Sequence, residues 1–168
     1  MLQPFQPSHP RRFLVLAGLL AALATPGAAQ EPVLTVDGLL DEKLNETELS
    51  FDMAALAAMP VTQFTTETIW TEGPQTFTGV PLHEFREMAA EDAETFRATA
   101  LNNYAITIPF SDAVEDGPII AYALNGAPMS RRGKGPLWIV YPYDDNPAYK
   151  SETIYSRSIW QLERVTLE

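Results

Sequence analysis

Three cationic side chains lie close together in the stretch NGAPMSRRGKGPLWIVYP, at Arg131, Arg132 and Lys134. Glycines at positions 133 and 135 alternate with them, so the backbone of this loop could approach a ligand closely. Cations on such a loop can hold an anionic or hydroxylated part of a ligand, and Arg132 and Lys134 are the expected anchors. Two alternatives stay open: a solvated basic loop that balances an acidic surface, and a loop that docks on an acidic patch of a partner.

Aromatic and amide side chains suited to a flat ring occur elsewhere in the chain. Trp70 ends a β-rich stretch just before a turn, where pockets open, although it could equally be a core tryptophan. Asn102, Asn103 and Tyr104 follow one another between two predicted strands. Amides there can form hydrogen bonds with a ring edge, but an Asn-Asn step is also an ordinary turn. Tyr104 could instead be a packing residue whose hydroxyl forms its polar end.

The last part of the chain adds a further candidate. Arg157 precedes the stretch SIWQL and is interpreted as a pocket cation. In an extended strand, Trp160 and Leu162 should both point inward, with Trp160 as a core residue. For Arg157 and Trp160, a role in the site and a role in the scaffold both stay open. Trp138, in the middle of an apolar strand, is predicted to be core.

The composition restricts catalytic chemistry. The 168 residues contain no cysteine, which rules out a thiol nucleophile and thiolate metal sites. One of the two histidines, His9, belongs to the leader described below, which leaves His83 alone. Zinc clusters and serine–histidine triads mostly need more than this, so neither a catalytic residue nor a metal ligand is predicted.

The N-terminal stretch has the pattern of a secretory signal peptide. Arg11 and Arg12 make it basic, an apolar run follows over residues 13–24, and small residues occupy positions 27 and 29. We therefore expect residues 1–29 to be a leader cleaved after Ala29, and the mature protein to be periplasmic. A retained N-terminal anchor is the alternative.

The charge of the mature chain limits its partners. Without Arg11 and Arg12, nine basic residues stand against 22 acidic ones, which gives a net charge of −13. Such a balance argues against nucleic acid and anionic lipid surfaces as partners. The remaining length of about 139 residues fits one domain, with residues 30–46 as an extension carrying the first strand and residues 47–168 as the domain proper.

Many short strands and two modest helices must position these side chains. Asp52 caps a predicted helix, Pro81 starts another, and Asn125-Gly126 is a strong hairpin signal. Because no βαβ unit repeats, the fold class is α+β, β-rich with mixed sheets. Strands are predicted at 32–38, 47–51, 61–70, 76–80, 96–101, 104–109, 118–124, 135–142 and 158–167, helices at 53–59 and 81–90, and a long polar loop, with room for one helical turn, at 143–156.

Four stretches in a fixed order carry a resemblance to a known family: TFTGVPLHEF, ALNNYAITIP, NGAPMSRRGKGPLWIVYP and SRSIWQL. Together they resemble the molybdopterin-binding domain of the sulfite oxidase family over residues 47–168, especially a small exported subgroup. The resemblance implies a sulfite-oxidase-type fold, a molybdopterin cofactor and oxidoreductase activity. It also implies that the loop at 131–134 helps to hold the cofactor's tail.

The chain departs from this family at the metal. Family enzymes hold molybdenum through a cysteine thiolate, whereas the corresponding stretch TTETIWTEG contains Thr68, Trp70 and Thr71. A hydroxyl is a poor substitute for a soft thiolate on molybdenum. Some cysteine-less exported members of the fold resemble periplasmic proteins that bind a free pterin and report it to a membrane-bound diguanylate cyclase, phosphodiesterase or histidine kinase.

The leading expectation is therefore a periplasmic binding module for a pterin or similar small heteroaromatic ligand that signals to a membrane partner. A molybdopterin-dependent oxidoreductase without the cysteine ligand is the first alternative. A ligand-free interaction domain is the second.

Overall fold

The computed structural model describes residues 31–168. The predicted signal peptide and its cleavage site lie outside these residues. Within them, ten short strands form two five-stranded sheets, with three short α-helices between the strands. The α-helices within residues 31–168 have at most six residues, so none of them is a candidate membrane span.

The first sheet joins the two ends of the described chain. It has the order β2-β1-β10-β5-β6. β10 runs parallel to β1 and antiparallel to β5, so this sheet is mixed, as predicted. The strands are β1 (Leu34–Gly38), β2 (Glu48–Phe51), β5 (Thr95–Ala100), β6 (Ala105–Pro109) and β10 (Leu162–Leu167).

The second sheet is built from the middle of the chain and is antiparallel. β7 is its central strand, since it pairs with β4, β8 and β9. β9 is buried along its whole length, which explains its continuous apolar sequence. The strands are β3 (Thr62–Thr66), β4 (Gln75–Pro81), β7 (Ile119–Leu124), β8 (Ala127–Pro128) and β9 (Trp138–Val140).

Local signals in the sequence fix the connections. Asp52 caps α1 (Met53–Ala58) by accepting the N–H of Ala55, as predicted. Pro81 directly precedes α2 (Leu82–Arg86). Asn125 and Gly126 both have positive φ, 50° and 77°, as a type I′ hairpin requires.

A single core lies under both sheets. Strands of the first sheet bury alternate residues, because one face packs inward and the other meets solvent. The core includes Trp138, as predicted, and its largest fully buried side chains are Trp138, Tyr141, Tyr143, Phe77, Phe85 and Phe96. The arrangement of two sheets with short helices confirms the α+β, β-rich class.

Several predicted elements have different bounds in the structure. The helix predicted at 81–90 covers only Leu82–Arg86, and the strand predicted at 135–142 covers only Trp138–Val140. The strand predicted at 61–70 ends at Thr66, because the Asp144 carboxylate accepts the Thr66 hydroxyl and the Glu67 N–H that would continue the ladder. The predicted loop at 143–156 contains a 3₁₀ turn at Pro147–Tyr149 and the helix α3 (Glu152–Arg157). The predicted strand at 158–167 begins only at Leu162.

The prediction that Trp160 is core is wrong. Trp160 is 37% exposed, while Leu162 is fully buried. Gln161 between them has a φ of 53°, in the left-handed region, so the alternation of an extended strand does not apply across it.

Candidate ligand-binding site

Four segments enclose a cavity of about 330 Å³. They are the loop after β3, the β5–β6 turn, α3, and the segment that joins α3 to β10. Of the side chains predicted to bind a ligand, Trp70, Asn102 and Tyr104 meet here. The lining residues are Trp70, Ala100, Asn102, Tyr104, Tyr155, Ser156, Ser158, Ile159, Trp160 and Gln161.

Trp70 is the centre of an aromatic cluster at this cavity. Its ring centroid lies 5.8 Å from that of Trp138, 5.7 Å from Tyr155 and 5.6 Å from Trp160. All three contacts are edge-to-face, a favourable geometry for aromatic quadrupoles. Each ring therefore fixes the orientation of its neighbours, and the cavity wall is preformed.

A threonine turn positions Trp70. The Thr68 hydroxyl accepts the backbone N–H of Trp70 at 3.1 Å and lies 2.8 Å from the Thr71 hydroxyl. Thr68 is buried, so its hydroxyl would lose free energy without such partners. These threonines occupy the stretch where the family resemblance places a metal-binding thiolate, and their hydroxyls are hydrogen-bonded to each other.

Asp144 ties the Trp70 loop to the segment that leads into α3. Its carboxylate accepts from Thr66 and from the Glu67 N–H on one side, and from Lys150 at 2.7 Å on the other. The hydrogen bond from Lys150 is the main cause that lowers the pKa of Asp144, followed by that from the Glu67 N–H. Two walls of the cavity are thus connected through one ionised side chain.

Gln161 was not among the predicted site residues. Its Nε2 donates to the carbonyls of Arg131 at 2.7 Å and Gly133 at 3.2 Å, and its backbone N–H donates to the carbonyl of Lys134. These bonds attach the cationic loop to the cavity wall. No single-residue signal marks Gln161 in the sequence, apart from its place in the recognised stretch SRSIWQL.

Lys134 packs on the aromatic cluster. Its Nζ lies 4.0 Å from the Trp160 ring centroid and 5.0 Å from that of Trp138. Burial lowers the pKa of Lys134, whereas the two indole faces favour its charged form. Lys134 is not a lining residue, but it lies against the Trp160 ring, which lines the cavity.

The other cations of the loop, and one of the two asparagines, lie outside the cavity lining. Arg131 and Arg132 are exposed on the surface. Asn103 is also exposed, in the left-handed conformation with a φ of 64°. The structure therefore brings Asn102 and Tyr104 to the cavity and leaves these three side chains beside it.

Arg157 forms a partly buried ion pair. Its Nη1 lies 2.8 and 3.0 Å from the carboxylate oxygens of Asp112, which also accepts the Tyr141 hydroxyl at 2.7 Å. Burial is the main cause that raises the pKa of Tyr141, and Asp112 adds to it. Arg157 thus anchors the last turn of α3 and does not line the cavity.

Two hydrogen-bonded hydroxyls, those of Ser158 and Tyr143, lie next to α3. The buried Ser158 hydroxyl donates to the carbonyl of Ile154 and is hydrogen-bonded to the Tyr143 hydroxyl. Burial raises the pKa of Tyr143 to about 12, so its phenol is neutral at physiological pH. Among residues 31–168 no three His, Cys, Asp or Glu side chains are grouped as metal ligands. What the cavity offers is aromatic faces and neutral hydrogen-bonding groups.

Comparisons with known proteins show the fold and no more. No protein-family model matches the chain, and no curated protein does. The crystal structure of the sulfane dehydrogenase SoxCD from Paracoccus pantotrophus is similar, with a TM-score of 0.58 and 18% sequence identity. The match covers 80% of this chain but 37% of that chain, so this chain spans little more than a third of it. The likeness confirms the sulfite-oxidase-like fold predicted from the sequence.

Proposed function

We propose that this protein binds a flat heteroaromatic ligand of the pterin class in the cavity at Trp70. The observation that carries this proposal is the combination of aromatic rings and side-chain amides around one cavity of about 330 Å³. This volume is at the lower end of the range found for small-molecule sites. A pterin is flat, polar at its edge and uncharged, which matches such a lining.

The energetics favour a ring over an extended chain. Trp70, Tyr155 and Trp160 present aromatic surface that a flat ligand would remove from water, and stacking adds to that burial. Lys134 on one indole adds positive potential near the ring without placing a charge in the cavity. The amides of Asn102 and Gln161 supply hydrogen bonds for the polar edge of the ligand.

The residues fit an organic ring better than a molybdenum centre. The chain has no cysteine to supply a thiolate. In the stretch that resembles the metal-binding one, the Thr68 and Thr71 hydroxyls are bonded to each other. The oxidoreductase alternative rests only on the structural likeness to a sulfane dehydrogenase, and that likeness shows the fold alone.

We further propose that the protein is exported to the periplasm and reports occupancy of the cavity to a membrane-bound sensor, a cyclic-di-GMP enzyme or a histidine kinase. The predicted signal peptide supports export. Leu101, Tyr104 and Trp160 expose apolar surface beside the cavity, which suits a contact sensitive to occupancy. A ligand changes that contact only by binding its two states with different affinity.

The test starts with protein purified from the exported fraction under native conditions. Mass spectrometry should identify a copurifying heteroaromatic compound, and titration with pterin should quench tryptophan fluorescence at one ligand per chain. Trp160→Leu should weaken this binding at least tenfold, because a stacking face is lost. The control is Val114→Ala, which changes an exposed apolar side chain outside the cavity.

Other outcomes select the alternatives. If pterin does not bind, and nothing copurifies, the binding proposal is wrong and an interaction domain is favoured. Stoichiometric molybdenum with oxidase or reductase turnover would favour the enzyme instead.

A further inference from the structure

Two amide side chains border the cavity with their orientations set by the backbone. Asn102 follows β5, and Gln161 precedes β10. The N–H of Leu101 donates to the carbonyl of Gln161 at 2.9 Å, which brings the two amide-bearing turns together. Both side chains line the same cavity.

The amide of Asn102 can be oriented in only one way. Its Oδ1 accepts the backbone N–H of Tyr104 at 3.0 Å, and an N–H needs an oxygen opposite it. The Nδ2 group is then left as a donor that bonds no other described residue. Asn102 therefore offers a donor to whatever occupies the cavity.

Gln161 is oriented in the opposite sense. Its Nε2 faces two carbonyl oxygens, those of Arg131 and Gly133, so that atom must be the nitrogen. Its Oε1 accepts no hydrogen bond from residues 31–168. Gln161, which lines the same cavity as Asn102, therefore has an acceptor to offer where Asn102 has a donor.

From this pair we propose that the cavity selects rings with a lactam edge, in which a carbonyl oxygen lies next to a ring N–H. The inference rests on the proposed function and deepens it. The Asn102 Nδ2 donates to the ring carbonyl, and the Gln161 Oε1 accepts from the ring N–H. A 4-oxopteridine has this edge. A 4-aminopteridine has the reverse one, with an amino donor facing Asn102 and a bare ring nitrogen facing Gln161.

Discrimination between these rings follows from unpaired polar groups. A ring with the reversed edge sets donor against donor and acceptor against acceptor, and sites built on hydrogen bonds reject such analogues strongly. Asn102 is itself exposed, which limits the effect. We expect 2-amino-4-oxopteridine to bind the unmodified protein at least tenfold more tightly than 2,4-diaminopteridine.

Asn102→Asp tests the assignment directly. The substitution keeps an oxygen for the Tyr104 N–H and replaces the free donor with an acceptor. The affinity ratio between the two pteridines should shift at least tenfold towards the diamino ring, measured by titration calorimetry. Asn103→Asp is the matched control, since it adds the same charge one residue away on a side chain outside the cavity lining; its ratio should equal that of the unmodified protein.

Gln161→Met provides a second, independent variant. It keeps the length of the side chain and removes the acceptor, so the oxo ring should lose most of its advantage. Circular dichroism of each variant establishes that it is folded. Equal binding of the two rings by the unmodified protein, or an unchanged ratio in both folded variants, would overturn the lactam assignment and leave the proposed function standing. Binding of neither ring would end the proposed function itself.

Discussion

Two recesses of similar size on this protein have opposite linings. The aromatic cavity has a volume of about 330 Å³, and a second recess has about 370 Å³. The second, here called the acidic recess, joins the 3₁₀ turn after β1 to the segment before β5. It is lined by Asp41, Glu42, Lys43, Ala90, Glu91 and Asp92.

The acidic recess has no ring to stack on and little buried surface. Its one ion pair joins Lys43 to Asp41 at 3.5 Å, with the Lys43 side chain 89% exposed. Asp41 mainly caps the local turn through the N–H of Lys43, and this hydrogen bond lowers its pKa. Volume alone therefore does not define a binding site. The cavity differs in having aromatic faces held by one another and polar groups oriented by the backbone.

The largest effect is expected when the central ring of the cavity is removed. Trp70→Ala deletes an indole in edge-to-face contact with four neighbouring rings and should destabilise the protein by about 3 kcal/mol. Pterin binding should be lost. Urea unfolding and fluorescence titration measure the two effects. Glu91→Gln, in the acidic recess, should change neither, and a loss of pterin binding there would contradict the distinction.

The next largest effect concerns two ion pairs, the partly buried pair of Arg157 and Asp112 and the exposed pair of Lys43 and Asp41. Asp112→Ala leaves the partly buried Arg157 and the Tyr141 hydroxyl without their shared acceptor, which should cost about 3 kcal/mol in the free energy of unfolding. Asp41→Ala, in the exposed pair of the acidic recess, should cost much less. If both variants lose the same free energy of unfolding in urea, burial does not explain the contribution of the Asp112 pair to stability.

Two lysines provide a smaller and closely matched contrast. Lys134→Met removes a charge that lies over two indoles and should cost about 1 kcal/mol of stability. Lys43→Met removes a solvated charge, and its unfolding midpoint should stay within error of the unmodified protein. If the two variants behave alike in thermal unfolding, the cation–π contact of Lys134 contributes nothing.

The smallest expected effect is a pH dependence at Asp144. Its pKa is lowered in the folded state, so its contribution to stability is present above its unfolded value near 3.8 and is lost as the pH falls through the folded value. Asp144→Ala should lower the melting temperature by about 3 °C at pH 6, and the difference should shrink as the pH falls below 3.8. A difference that grows on acidification would contradict this sign.

The sequence predicted the elements that depend on local chemistry. Asp52 and the Asn125-Gly126 pair act within a few residues of themselves, and each does in the structure what it was predicted to do. Pro81 marks the start of α2 to within one residue, since it ends β4 and the helix begins at Leu82. The strand after Pro60 ended early because of Asp144, far along the chain, and no local pattern carries that information.

The candidate site was predictable only in part, for the same reason. The positions of Trp70 and Asn102 at the cavity were expected from strand ends and turns. Arg157 could not be placed, because its partner Asp112 is distant in sequence. Gln161 was missed because its role depends on the carbonyls of the cationic loop, and a glutamine near a strand is not unusual by itself.

The placement of β10 has a consequence for how the chain is made. Val36 in β1 is paired with Val165 in β10, so the first sheet cannot form until nearly the whole described chain has left the ribosome. The second sheet, from β3 to β9, can assemble earlier from segments already synthesised. Trp160 and Gln161 arrive with the last segment, and the cavity is therefore completed at the end of folding. Through most of its synthesis the nascent polypeptide would have no pocket for a ligand to occupy.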